Sequence, residues 1–474
     1  MVRWLSLGLV AGLVVAEASL LAVGGEQGRV SRAGPGKEPV EIGSRLELFV
    51  DGAMIETLAG DARRVLHHPT VREVALAFDA PWEGRDSTYV TVMKDGDRVR
   101  LYYRGVGNRN LPEVTCYAVS PDGITFARPK LGLFEAAGTK ANNVCWTGPG
   151  THNFAPFKDR NPHARPAERY KALAGGPLWA LGSPDGIHWK KLADHPVITK
   201  GAFDSQNLAF FDELRGQYVA FFRDFARGVR TVKTCRSKDF ITWTEPEWCD
   251  YGKAPPEHLY TNATVPYFRA PHIYLSFPKR FMETRTKDPK HPDHGISDGL
   301  LMSSRDGLHW ERWEEAFLRP GLDPKNWTDR NMMIAWGLVP SSPEEISLYW
   351  TEHYSFDTCR LRRGTIRTDG FVSVYAGMSG GELVTRPLRF TGNRLVVNYS
   401  SSAAGSLRFQ LEDQAGKPFP GFEMAASEVL FGDEIAHEVK WRKGSDLAAL
   451  AGKPVRLRVS LQDADLYSFV FARR

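Results

Sequence analysis

Ser183-Pro-Asp-Gly-Ile-His-Trp189 is one of five related stretches in this chain. Ser120-Pro-Asp-Gly-Ile-Thr-Phe126 and Ser304-Arg-Asp-Gly-Leu-His-Trp310 share its layout. Ser237-Lys-Asp-Phe-Ile-Thr-Trp243 lacks only the glycine, and Thr368-Asp-Gly-Phe371 is a fainter copy. The aspartates stand at 122, 185, 239, 306 and 369, in steps of 63, 54, 67 and 63. Spacing this even marks a repeat architecture. Asp-Gly is tight-turn chemistry, because the carboxylate bonds the backbone two residues on and glycine accepts a positive φ. Strand-like runs precede four of the turns, at 116–119, 178–181, 232–235 and 300–302. The aliphatic and aromatic residues two apart that follow are strand alternation, so each copy predicts a hairpin with its aromatic turned inward.

Upstream lies a second strand pair in most repeats: 89–93 with 99–103, 208–211 with 218–222, 263–267 with 273–277, and 332–336 with 346–350. Two hairpins per repeat predict a four-stranded sheet of about 60 residues, and such sheets repeated radially form a β-propeller. The expected fold is all-β: a five-bladed β-propeller followed by a C-terminal β-sandwich. Ordinary hairpins in a sandwich are the alternative, against which stand the even spacing and the paired upstream strands. From residue 383 the repeat disappears, and short alternating strands near 388–390, 395–399, 407–411, 455–461 and 466–471 suit a sandwich. The domain boundaries read as a signal peptide at 1–18, a linker at 19–44, the propeller at 45–382 and the sandwich at 383–474.

Arg3, the apolar run 4–15 and Ala16-Glu-Ala18 are the pattern of a secretory signal peptide, so a secreted or periplasmic protein is expected, with no membrane contact after cleavage. The chain has 474 residues and a net charge of +5, with its 61 Lys and Arg scattered, which gives no nucleic-acid footprint. Five cysteines do not make a disulfide framework or a zinc spacing. Cys235 and Cys249 flank one hairpin and could pair; small buried residues are the favoured reading. No cofactor and no metal are expected, and Lys290-His-Pro-Asp-His294 reads as a solvated loop.

In a propeller the starts of the innermost strands open onto one face, so the residues just before them are the candidates for chemistry. They are rich in polar groups beside aromatics. Asp86, Asp204 and Glu257 are the candidate catalytic acids, because two carboxylates across a pocket suit glycoside hydrolysis and a third can tune their pKa values. Trp82, Tyr260 and Trp327 could stack on sugar faces. His152, Asn153, Gln206, Asn207 and Asn262 could bond hydroxyls, and Asp329, Arg330 and Glu352 complete the candidate binding set. The expected partner is a carbohydrate.

These features together resemble the five-bladed glycosidases of glycoside hydrolase families 32 and 43. That resemblance implies a base or nucleophile Asp from the first blade, a stabilising Asp and an acid Glu, which fall by position on Asp86, Asp204 and Glu257. The Asn-Asp-Pro, Arg-Asp-Pro and Glu-Cys signatures of family 32 are absent, so sugar specificity does not carry over. Two rivals remain. Sialidase-like enzymes use a tyrosine nucleophile and an arginine triad, but their Asp-boxes separate Asp from Gly. A non-catalytic carbohydrate-binding propeller would need no opposed carboxylates.

Overall fold

A computed structural model describes residues 38–107, 111–291 and 293–473. The expected signal peptide and most of the expected linker lie outside these residues. Strand dominates, with helix limited to single 3₁₀ turns among the described residues.

Five antiparallel meanders form the larger part. The first is Thr88–Asp95, Arg98–Gly105, Val114–Ser120 and Val144–Trp146. The second is Ala155–Lys158, Tyr170–Gly175, Leu178–Ser183 and Lys190–Lys191. The third is Leu208–Asp212, Gln217–Ala226, Val229–Ser237 and Glu247–Trp248, and the fourth Val265–Tyr267, Ala270–Ser276, Met302–Ser304 and Trp310–Arg312. The fifth takes Met333–Ile334, Glu345–Glu352 and Arg360–Arg367 from its own repeat and its outer strand, Thr70–Ala77, from the N-terminal side of the first meander. That outer strand was not expected, since nothing local in residues 70–77 records a partner almost 300 positions away.

The repeated turn is one device used four times. Ser120 Oγ accepts from Gly123 N at 2.9 Å, while Asp122 Oδ1 accepts from Ile124 N at 2.9 Å. Ser183 and Asp185, Ser237 and Asp239, and Ser304 and Asp306 repeat both bonds. The residue at the bend has φ of +79° at Gly123 and Gly186 and +80° at Gly307. In the third copy Phe240 holds φ +69° there, and its fully buried ring packs on Phe157, Tyr218 and Trp243. Ring burial offsets the backbone cost of a left-handed non-glycine residue.

Each turn docks on the preceding meander. Tyr349 of the fifth donates to Gly123 O of the first at 2.5 Å. Tyr102 and Arg100 of the first bond Gly186 O and Asp185 O of the second. Phe157 of the second meets Phe240 of the third, and Arg215 of the third bonds Arg305 O of the fourth. Tyr267 of the fourth donates to Asp369 at 2.5 Å, in the faint fifth copy. The contacts therefore run in a cycle. Trp336 of the fifth meander exchanges backbone bonds with Val90 and Val92, donates Nε1 to Thr264 O at 2.8 Å and faces Phe157 at 6.5 Å. Gln206 Nε2 reaches Val90 O at 2.9 Å, so all five meanders meet here.

Val40–Gly43 pairs in parallel with Leu388–Phe390 as a separate two-stranded sheet, and a branched sheet is built on the long, paired strands Arg394–Glu412 and Arg456–Ala472, whose register breaks between Ser401 and Ser406. Glu47–Leu48, Ile55–Gly60, Arg63–Leu66, Val372–Ala376, Gly381–Thr385 and Asp433–Glu438 complete it. Its own apolar core includes Phe49, Leu383, Phe409, Trp441, Leu457 and Phe469. Residues 47–66 and 372–382, placed with the propeller by sequence, thus pair in this sheet. A three-stranded sheet of His258–Leu259, Lys279–Met282 and Ile296–Gly299 is likewise unforeseen. All five cysteines are free and buried, so Cys235 and Cys249 do not pair.

Candidate functional site

The second strands of the first and third meanders run into aromatic-aromatic-arginine, Tyr102-Tyr-Arg104 and Phe221-Phe-Arg223, and the fourth continues as Phe277-Pro-Lys279. Antiparallel pairing sets the end of each second strand beside the approach to the first. Thr88 lies opposite Arg104, Ala202 N donates to Arg223 O, and Tyr260 N donates to Lys279 O. Three buried cations thereby meet the approach loops, Arg104 at the Asp86 carbonyl, Arg223 near the Asp204 carboxylate and Lys279 at Asp329.

Arg104 is 6% exposed. Its Nη2 donates to Asp86 O at 2.8 Å and to the Tyr354 hydroxyl at 3.3 Å. Its guanidinium lies over the Tyr89 ring at 4.8 Å. Nη1 sits 3.0 and 3.2 Å from the two nitrogens of His152, a position over the ring that leaves both nitrogens for carboxylates. His152 Nδ1 meets Glu113 at 3.0 Å and Nε2 meets Asp204 Oδ1 at 3.0 Å. Burial alone would lower the pKa of His152, but these two carboxylates outweigh it and the pKa is raised. Asp204 is correspondingly held at about 2, chiefly by the His152 bond, with help from Arg223 and Arg330 against burial. Its side chain is 65% exposed, which makes it an ionised carboxylate open to a ligand.

Around this centre, Tyr260 places its hydroxyl 3.5 Å from Asp204 Oδ2 and 3.2 Å from the Tyr89 hydroxyl. Arg223 and Lys279 lie over the Tyr260 ring at 4.9 and 4.3 Å. Lys279 is fully buried and bonds Asp329 at 2.5 Å; burial lowers its pKa in spite of that partner. Arg330 donates to Tyr354 at 2.9 Å. Asp86 Oδ1 accepts from Ser355 Oγ at 2.8 Å, and Asp293 Oδ2 lies 3.0 Å from the same hydroxyl. Tyr89, Ala263, Arg330 and Ser355 have φ of +53°, +41°, +61° and +64°. Left-handed non-glycine residues gathered in one place are typical of a site held under strain.

The structure thus brings together Asp86, His152, Asp204, Tyr260, Asp329 and Arg330. It sets Glu257 apart, between Arg280 at 3.2 Å and Arg312 at 3.1 Å, with no contact to the other acids among the described residues. The reason is the unforeseen three-stranded sheet, whose strand at Lys279–Met282 carries Arg280 alongside the Glu257 segment. The amides bond backbone, although Gln206 Oε1 and Asn207 Oδ1 stay buried without a partner among the described residues. Asn153 bonds Gly175 and Phe203, Asn207 bonds Phe203 and Ser205, Asn262 bonds Phe221 and Thr264, and Gln206 bonds Val90. Trp82 and Trp327 donate their indole N–H to Asn143 and Gly321 O, which anchors their loops. Glu352 pairs with Arg360 and Arg362. Reading the sequence for acids and amides passed over Tyr89, Arg104, Glu113, Arg223, Lys279 and Tyr354. For three of these the signal was present, as a basic residue closing each aromatic second strand.

No family model and no curated protein matches the sequence. Solved structures give a distant likeness. A glycoside hydrolase is 13% identical over 63% of this chain and 92% of its own, with a TM-score of 0.44. A glycosyl hydrolase from Bacteroides ovatus is 14% identical, covering 65% and 94%, at 0.39. A structure of the GH130 family of mannoside phosphorylases, described with glycoside hydrolases that target β-1,2 mannosidic linkages in Candida mannan, is 13% identical, covering 64% and 94%, at 0.38.

Proposed function

We propose that this protein is an exported glycoside hydrolase, built as a five-bladed β-propeller with a C-terminal β-sandwich, that works where the five approach loops meet. The cyclic docking of the five meanders and the sharing of Thr70–Ala77 with the fifth support the propeller. Asp204 carries the functional reading: an exposed carboxylate, kept ionised, beside a protonatable imidazole. Glycosidic cleavage needs a charged group to attack, activate water or stabilise the oxocarbenium-like centre, and a proton for the leaving oxygen. Asp204 and Asp86 supply the charge. His152, which bridges Asp204 and Glu113, supplies the proton more readily than Glu257, whose two arginines make it an anchor.

Asn153 and Asn262, both committed to backbone, count against a purely sugar-binding propeller, which would present them to hydroxyls. Purified protein should be screened on plant and algal glycans, with product anomers read by NMR. Asp204→Asn and Asp86→Asn should lose turnover and keep glycan binding. Parental turnover in both variants would remove these residues from the reaction.

A further inference from the structure

Two arginines beside Asp204 have donors to spare. Arg223 is 5% exposed and fixed through Nε to Ala202 O at 3.0 Å. Among the described residues its terminal nitrogens make no hydrogen bond, and Nη2 stays 4.0 Å from Asp204 Oδ2. Arg330 commits Nη1 to Tyr354, sets Nε 3.5 Å from Asp329 Oδ2 and leaves Nη2 alone without a partner among the described residues, so the free fork is that of Arg223 and Arg330 adds a single donor. A guanidinium on a buried stem with a free fork matches an oxyanion in two-point geometry. Asp204 turns Oδ1 to His152 and holds Oδ2 at 3.5 Å from the Tyr260 hydroxyl and 4.0 Å from Arg223 Nη2, an ion pair that leaves the fork without a hydrogen bond.

Next to Arg223, at the tip of the hairpin Gln217–Ala226 and Val229–Ser237, Phe225 is 42% exposed. Arg223 and Arg230 lie over its ring, each at 5.3 Å. A partly exposed aromatic ring beside a free guanidinium suits one chemical class: a sugar ring that carries an acid group.

We infer that Arg223 and Arg330 form an oxyanion subsite beside Asp204, with Phe225 as its stacking face, and that the glycan bound there is acidic, a uronate or a sulfated sugar. This rests on the glycoside hydrolase reading of the same site. Inorganic phosphate has the same oxyanion chemistry without the ring, so the two sources are separable.

Titration calorimetry on the full chain with glucuronate, glucose 6-sulfate, glucose and inorganic phosphate tests it without requiring turnover. The acidic sugars should bind about tenfold or more tightly than glucose, as one charge-assisted bond pair allows. Arg223→Leu and Arg330→Leu should each abolish that preference, and Arg223→Lys should recover part of it. Phe225→Ala should weaken the acidic sugars and spare phosphate. If phosphate binds as tightly as the acidic sugars and Phe225→Ala changes neither, the subsite stands with free phosphate as its ligand. Equal binding of glucose and glucuronate by the parent, or parental glucuronate binding by a folded Arg223→Leu and a folded Arg330→Leu, would overturn the subsite. Hydrolysis of neutral glycans by such variants would leave the enzyme reading intact; acidic-sugar binding without any hydrolysis would do the reverse.

Discussion

Glu47 ties the branched sheet to the fourth meander, and its removal should be costly. It is fully buried, in the short strand that pairs with Ser468 and Phe469. Its carboxylate meets Arg45 at 2.6 Å, Arg305 at 2.8 Å and His272 at 3.3 Å. Arg305 is the second residue of the fourth repeated turn, so the contact crosses from the branched sheet to the fourth meander. Burial pushes the pKa of Glu47 up, but His272, Arg305 and Arg45 outweigh it and bring it from 4.5 to about 2. At 1.36 kcal/mol per pKa unit the drop corresponds to about 3 kcal/mol of stability. The folded pKa is the lower one, so this contribution is complete above about pH 4.5 and is lost as pH falls toward 2. Glu47→Gln keeps the shape and removes the charge. Guanidinium unfolding at pH 7 should show the variant about 3 kcal/mol less stable, and the gap should close as the buffer is taken down toward pH 2 to 3. A deficit under about 1 kcal/mol at pH 7, or one unchanged by acid, would refute the reasoning.

Three further outcomes are expected. Gly186→Ala should lower stability by about 1–3 kcal/mol, because φ is +79° and the new Cβ would stand 2.6 Å from the Tyr102 hydroxyl. Gly132→Ala, at φ +72° with nothing within 4 Å, should cost less, and equal melting temperatures for the two would count against turn docking. Glu257→Gln should reduce the melting temperature by loosening Arg280 and Arg312 while leaving kcat near parental; loss of turnover in a folded variant would restore it as a catalytic group. Because Asp204 and Glu113 raise the pKa of His152, its charged form persists above the usual histidine value of about 6.5 and is lost as pH rises beyond that. The alkaline limb of the parent's activity profile should therefore lie above that value, and His152→Gln should lose most turnover, with the limb absent from whatever activity remains.

Much of the candidate cluster was legible and part of it was not, for one reason. Asp86, Asp204, His152, Tyr260 and Arg330, which the structure brings together, were picked out because approach loops are read locally: each stands just before a strand whose alternation is plain. Glu257 satisfied the same rule, yet a neighbouring strand carrying Arg280 claimed it. Arg104 and Arg223 were visible as a recurring basic ending, but a strand end gains meaning only once its antiparallel partner is known.

The sequence by itself determined the repeat. Ser-x-Asp turns with a left-handed fourth residue follow from side-chain bonds within four positions, and two-residue alternation sets the strands on either side. Tertiary structure alone decided that Thr70–Ala77 completes the fifth meander, that residues 47–66 join the C-terminal sheet, and that Asp204 meets His152 while Glu257 does not. Those choices depend on which edges and charges remain unsatisfied after the local elements form, and unpaired strand edges and buried ions are costly enough to select partners hundreds of residues away.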